Sequence, residues 1–270
     1  MSDLALSTST EPSPFDSMSS MFRDIGTVTK RNLIRVVRVP EALFFTLLQP
    51  IMFVLLFRYV FGGAIPVEGT SYVNYLMPGI FVQTMCFGAV STAIGLAEDL
   101  QSGLLERFRA LPMSRAAVLG GRTTADVARN VVVIALMSVV GFLVGFRPSG
   151  TIATYVAACL LMLLFSYALM WGFAYVGLWA PNAETAQLMT FPILFPLTFA
   201  STAFVPVSTM PGWLQGFAEN QPVSVTVNAV RSLMIGGTYY SEDAVLKAIA
   251  WSLGLLIILV PIAVRQYRRV

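Results

Sequence analysis

Long apolar runs cut by short polar breaks make up most of this chain. Six runs, at residues 42–61, 72–97, 124–146, 152–180, 185–205 and 244–264, reach the length of about 20 mainly apolar residues that a helix needs to cross a bilayer. Hydrocarbon offers the backbone no water to bond, so each run is expected to bond itself as a helix. The expected fold is an all-α integral membrane domain of six transmembrane helices over residues 21–270, behind a tail over residues 1–20. No polar stretch is long enough for a soluble catalytic domain.

The polar breaks have patterns of their own. Residues 1–20 are rich in Ser, Thr and Pro and lack the basic start and apolar core of a signal peptide, which predicts a disordered cytoplasmic tail. Residues 21–39 then set Phe22, Ile25, Val28, Leu33, Val36 and Val37 among Arg23, Lys30, Arg31, Arg35 and Arg38. That spacing predicts an amphipathic helix in the inner headgroup layer, touching membrane lipids and ending at Pro40, with contact to a cytoplasmic partner as the alternative. After the second run comes EDLQSGLLERFRALPMSR, in which Leu104, Leu105, Phe108 and Leu111 share one helical face while Glu106, Arg107 and Arg109 line the rest. Gly103 permits a tight turn before this helix and Pro112 stops it. Such a helix either rests on the membrane or docks on a soluble partner. Residues 206–237 exceed a simple loop and carry Pro211, Gly212, Gly216 and Pro222.

Composition agrees with this pattern: 56% of residues are hydrophobic and only 11% charged, against roughly 25% charged in a soluble domain. Lys and Arg gather before the first run, around the second-to-third break (Arg107, Arg109, Arg115, Arg122, Arg129) and at the end (Arg265, Arg268, Arg269). The alternate breaks hold only Arg58, Arg147, Arg231 and Lys247. Positive charge stays cytoplasmic, so both termini are expected there, as an even number of spans requires. The net charge of +3 reflects this bias. No basic patch interleaved with exposed aromatics suggests nucleic-acid binding.

The chemistry available is narrow. The sequence has no histidine, which removes His general bases, His-ligated metals and Ser-His-Asp triads. Cys86 and Cys159 fall inside apolar runs and read as small buried hydrophobes. Glu98 and Asp99 are adjacent, so a helix points their carboxylates about 100° apart rather than at one bond or one metal. Neither lysine, Lys30 nor Lys247, follows the glycines of a phosphate-binding loop, so no bound cofactor is expected and any ATP-driven work must come from another polypeptide.

Polar residues inside the runs are the candidates for a substrate pathway. The fifth run carries Pro192 and Pro196, which free backbone carbonyls, beside Thr198, Ser201 and Thr202. The second carries Asn74, Gln83 and Thr84, side chains that are costly against lipid. Phe195, with Met85, Phe87, Phe191 and Phe199, would suit large planar or acyl substrates through apolar contact. The charges Arg58, Asp126, Arg129, Glu184 and Lys247 fall near the ends of runs, an arrangement that disfavours ion-driven transport.

The run MPGIFVQTMCFGAVSTAIGLAEDLQSGLLERFRALPMSRAAVLGGR, ending at Arg122, resembles the signature region of ABC-2 type exporter permeases. PEALFFTLLQPIMFVLLFRYVFGGA and STMPGWLQGFAENQPVSVTVNAVRSLMIGG extend the resemblance over nearly all of the chain after Met21. Within the family it is most similar to the actinobacterial daunorubicin/doxorubicin resistance permeases. The preference for Arg over Lys, 15 to 2, fits the GC-rich genomes of that group. The loop motif here is Glu98, Asp99, Gly103, Glu106, Arg107, Pro112 and Arg115. The resemblance implies that Leu104, Phe108 and these residues form a coupling helix seated in a separate ABC ATPase subunit, which holds the ATP and Mg. It implies a second, smaller ATPase contact at residues 181–184 with Asn182 and Glu184, and re-entrant outer helices between the fifth and sixth spans. It also implies a dimer with a second copy or a homologous permease. The function expected is export of a hydrophobic drug, antibiotic or lipid-like metabolite across the bacterial cytoplasmic membrane. A stand-alone channel or an intramembrane lipid-modifying enzyme is the alternative.

Overall fold

The computed structural model describes residues 40–65, 67, 69–103 and 115–269, and every regular element among them is helical. The helices are α1 (Pro40–Leu55), α2 (Tyr72–Gln101), α3 (Arg115–Val144), α4 (Ile152–Trp179), α5 (Ala183–Phe199), α6 (Gly212–Asn220), α7 (Pro222–Ile235) and α8 (Glu242–Arg269). The expected tail over 1–20, the amphipathic helix over 21–39, and Leu104, Glu106, Arg107, Phe108 and Pro112 lie outside the described residues.

Among the described residues four helices are long and apolar enough to cross a membrane: α2, residues 122–144 of α3, α4 and α8. The other two expected spans are shorter as regular helix. α1 passes after Leu55 into a π-helical turn, Leu56–Phe61. α5 stops at Phe199, short of the expected end at residue 205. Side-chain oxygens explain that stop: Thr198 donates to the Leu194 carbonyl at 2.9 Å, and the Ser201 hydroxyl accepts from the Ala203 N–H at 3.2 Å. Such local bonds offer the backbone an alternative to continuing the helix.

Four helix starts are fixed by a side-chain cap. Ser71, Thr151, Asn182 and Gln221 each accept a backbone N–H of the following turn, and Pro222 occupies the first turn of α7, where its missing N–H costs nothing. Gly103, at φ 66°, turns the chain out of α2 as its sequence position predicts.

Packing is built around α2. Of its apolar window 83% is buried inside the protein, against 11% for α8, although α8 is the more hydropathic. Leu246, Ile257 and Ile258 of α8 stand 65%, 74% and 59% exposed, an arrangement suited to lipid and costly in water. α4 packs along both α2 and α8. Gly177 of α4 faces the backbone of Ala93, and any Cβ there would strike it, so the α2–α4 crossing depends on glycine. α7, which is almost wholly buried, wedges among α2, α4 and α8.

Candidate functional site

Charged and polar side chains join α2 to α3 in three rungs. Asp99 pairs with Arg122. Thr92 donates to Asp126 at 2.6 Å, and Asp126 lies 3.6 Å from Arg129. Arg129 then donates to the Gly88 carbonyl at 2.9 Å and to the Ser91 hydroxyl. Arg122, Asp126 and Arg129 are spaced i, i+4, i+7 on one face of α3, opposite Asp99, Thr92 and Gly88 on the antiparallel α2. Beyond them, Asn130 donates to Ser166 of α4 at 2.7 Å.

This ladder gives two expectations a structural form. Asp126 and Arg129 lie within the first eight residues of the apolar stretch 122–144, near its end as expected, while α3 itself begins earlier, at Arg115. Charges inside an apolar stretch are costly unless paired, and these are. Asp99 is turned inward onto Arg122, while Glu98 is exposed, so the adjacent carboxylates face different surroundings as their 100° offset requires.

The upper end of the ladder forms part of the wall of a cavity of about 180 Å³ between α1, α2 and α5. Gln83, Phe87 and Ser91 descend α2 at i, i+4 and i+8, and Gln187 and Phe191 do the same on α5. Gln49 and Phe53 of α1 close the third side. The Phe87 ring meets those of Phe191 and Phe195 edge-on, with centroids 6.4 and 6.3 Å apart.

The residues expected along a pathway divide into two groups. Gln83 and Thr84 line the cavity, and Phe195 adjoins it through Phe87. Asn74 does not: its side-chain oxygen accepts the Arg147 N–H at 2.9 Å at the far end of α2. Thr198 and Ser201 bond to the carbonyls at the end of α5. Thr202 bonds to Ser224 and Asn228 of α7. Met85 is buried in the core. Asn182 caps α5 by accepting the Thr185 N–H at 2.7 Å, with Glu184 exposed one residue into that helix.

Sequence reasoning missed Gln49, Gln187 and the Arg122–Asp126–Arg129 stripe. The signal for the stripe was present as polar residues spaced i, i+4, i+7 at the start of an apolar run, but periodicity does not say which helix a stripe will face. Arg231 was also misplaced. It reads as an outer-loop charge, yet it is 2% exposed and donates to the carbonyls of Tyr75 and Thr202, at 3.2 and 2.8 Å from one guanidinium nitrogen.

Comparison with known proteins gives these features a setting. Residues 23–235 match the family model described as ABC-2 type transporter. The chain is similar to the daunorubicin resistance ABC transporter permease protein of Streptomyces coeruleorubidus, 34% identical over 229 residues that cover 85% of this chain and 80% of that one. A protein of Mycobacterium tuberculosis named as a probable doxorubicin resistance ABC transporter permease is 28% identical over 244 residues, 89% of this chain and 87% of its own.

Proposed function

The chain belongs to the ABC-2 type transporter family, and from that premise we propose that it is the membrane permease subunit of an ATP-driven exporter for a hydrophobic drug, antibiotic or lipid-like metabolite. Its relatives are named as permeases of ABC transporters, not as enzymes. The ATP and Mg then belong to a separate ATPase subunit.

The observation that carries this reading is the ladder. It runs from Asp99, four residues before the break at Gly103, to Ser91 and Gly88 in the cavity wall. A push delivered by an ATPase at Glu98, Gly103, Leu104, Glu106, Arg107, Phe108, Pro112 and Arg115 has a polar, paired route to the cavity. The smaller contact at Asn182 and Glu184 lies one helical turn from Gln187 on the same wall. Both inputs thus reach one cavity, which suits a two-state packing change driven by ATP.

The finer arrangement is that α1 and α5 join the four longer helices as six spans. Both termini then face the cytoplasm, α6 and α7 re-enter the outer leaflet, and two permeases stand over two ATPases in the bacterial cytoplasmic membrane. The exposed Trp213 and Phe217 of α6 suit the outer headgroup layer. The test is co-purification in nanodiscs with the ATPase encoded beside this gene, reading bound subunit and ATP hydrolysis together. A complex lost on mutating residues 98–115 is expected; a folded permease that binds no ATPase would overturn the reading.

A further inference from the structure

Gln83 is 2% exposed, and neither its amide nitrogen nor its amide oxygen has a hydrogen-bond partner. The wall hydroxyls beside it are satisfied, whereas Arg129 Nε behind the wall is also buried without a partner. Thr84 donates to the Ile80 carbonyl at 2.7 Å, and Ser91 donates to the Gly88 carbonyl at 2.6 Å while accepting from Arg129. Elsewhere in the fold Gln221 uses both ends of its amide, accepting the Val223 N–H and donating to the Leu197 carbonyl, each at 2.9 Å. A buried amide with two idle ends is costly unless something fills them, and Gln83 lines the cavity between α1, α2 and α5.

We propose that Gln83 is the recognition residue for a neutral, planar ligand that carries a carbonyl and an N–H or O–H side by side on one edge. A primary amide presents its acceptor and one donor hydrogen on the same side, so its complement is an edge with the reverse order, as in a cyclic lactam. Two antiparallel bonds then form, Gln83 Oε1 accepting and Gln83 Nε2 donating. The rest of the cavity selects for flatness: Phe53, Phe87 and Phe191 offer ring faces and edges on two sides. It also selects for neutrality. Among the described residues no carboxylate lines the cavity, and the terminal nitrogens of the Arg129 guanidinium behind the wall are held by Asp126, Gly88 and Ser91. Gln49 and Gln187 stand more exposed at the rim, where polar substituents of a larger ligand would sit. The inference rests on the export reading only in making that ligand a cargo.

The test is equilibrium binding to the full-length permease with its ATPase in lipid nanodiscs, with empty discs subtracted for partition into lipid. The probe is 2-quinolone, a planar lactam, against N-methyl-2-quinolone, which keeps the shape and carbonyl and lacks the donor. Saturable binding is expected for 2-quinolone and about tenfold weaker binding for the methylated form. Gln83→Leu and Gln83→Met should each abolish the difference between the two compounds, with 2-quinolone losing the more binding because it loses two bonds and the methylated form one. Equal binding of the two compounds by the unaltered protein, no saturable binding, or discrimination that survives both substitutions overturns the assignment. Should the variants fail to assemble, the matched compounds on the unaltered protein still decide. ATP hydrolysis in the same discs separates the two readings: hydrolysis with no lactam preference sinks the role of Gln83 alone, whereas loss of the ATPase sinks the exporter.

Discussion

The guanidinium carbon of Arg231 lies 3.7 Å from the centre of the Tyr75 ring. The same cation donates to the carbonyls of Tyr75 and Thr202 and to the Asn228 side chain. Its partners in these contacts are neutral oxygens and a ring face, so its charge is offset by dipoles and a π-system rather than by a carboxylate. Through it α7 and the turn after α5 are bolted to α2. Tyr72 and Tyr75 reinforce the bolt by donating to the Phe204 and Thr202 carbonyls, each at 3.2 Å.

Arg231→Lys should therefore destabilise the protein by about 1–3 kcal/mol, since an ammonium cannot serve both carbonyls and lie flat on the ring at once. Thermal unfolding in detergent measures this. A lysine variant as stable as the unaltered protein would remove the bolt from the account.

Within the ladder, Asp126→Asn and Arg129→Gln are expected to be non-additive. A double-mutant cycle on unfolding should show an interaction of about 0.5–3 kcal/mol. ATP hydrolysis should persist in the assembled complex while transport falls. Purely additive effects, or transport at normal rates in all three variants, would detach the ladder from coupling.

Glu106→Ala and Arg107→Ala, in the segment read from sequence as the coupling helix, should leave the protein folded and uncouple export from ATP hydrolysis. Vesicle transport measured beside ATPase rate reads this directly. Normal export in both variants would sink the coupling-helix assignment.

Gly79 faces the backbone of Ala203, where an added Cβ would meet main-chain atoms that cannot rotate away. Gly79→Ala should cost about 1–3 kcal/mol through forced separation of α2 from the turn after α5. Gly212→Ala, with open space around the site, should be near neutral. Melting curves of the pair check the contrast, and equal losses would refute the packing explanation.

Much of this molecule was legible before its structure. The length and apolarity of the runs identify α2, α3, α4 and α8 as membrane helices, and Gly103 marks the turn out of α2. Gln83 and Thr84 stand out because an amide or hydroxyl in an apolar run needs a reason. All of these are local properties, set by residues within a few positions of one another, and a sequence displays them directly. The stop of α5 at Phe199 was harder, since it depends on side chains that compete with the helix for the same carbonyls.

Partnership between distant segments was decided only in three dimensions. Asp126 and Arg129 read as charges near the end of a span, where they are, and Arg231 as a charge in an outer loop; what each meets is not in the sequence. Asp126 and Arg129 became internal because α2 and α3 run antiparallel with their polar stripes facing, and Arg231 because α7 is wedged against α2. Thr198, Ser201 and Gln83 carry similar polarity in similar runs, yet Thr198 and Ser201 bond to carbonyls at the end of α5 while Gln83 is left with its amide idle beside a cavity. Hydropathy and periodicity determine that a helix exists and which of its faces is polar; the face it meets follows from how all the helices pack at once.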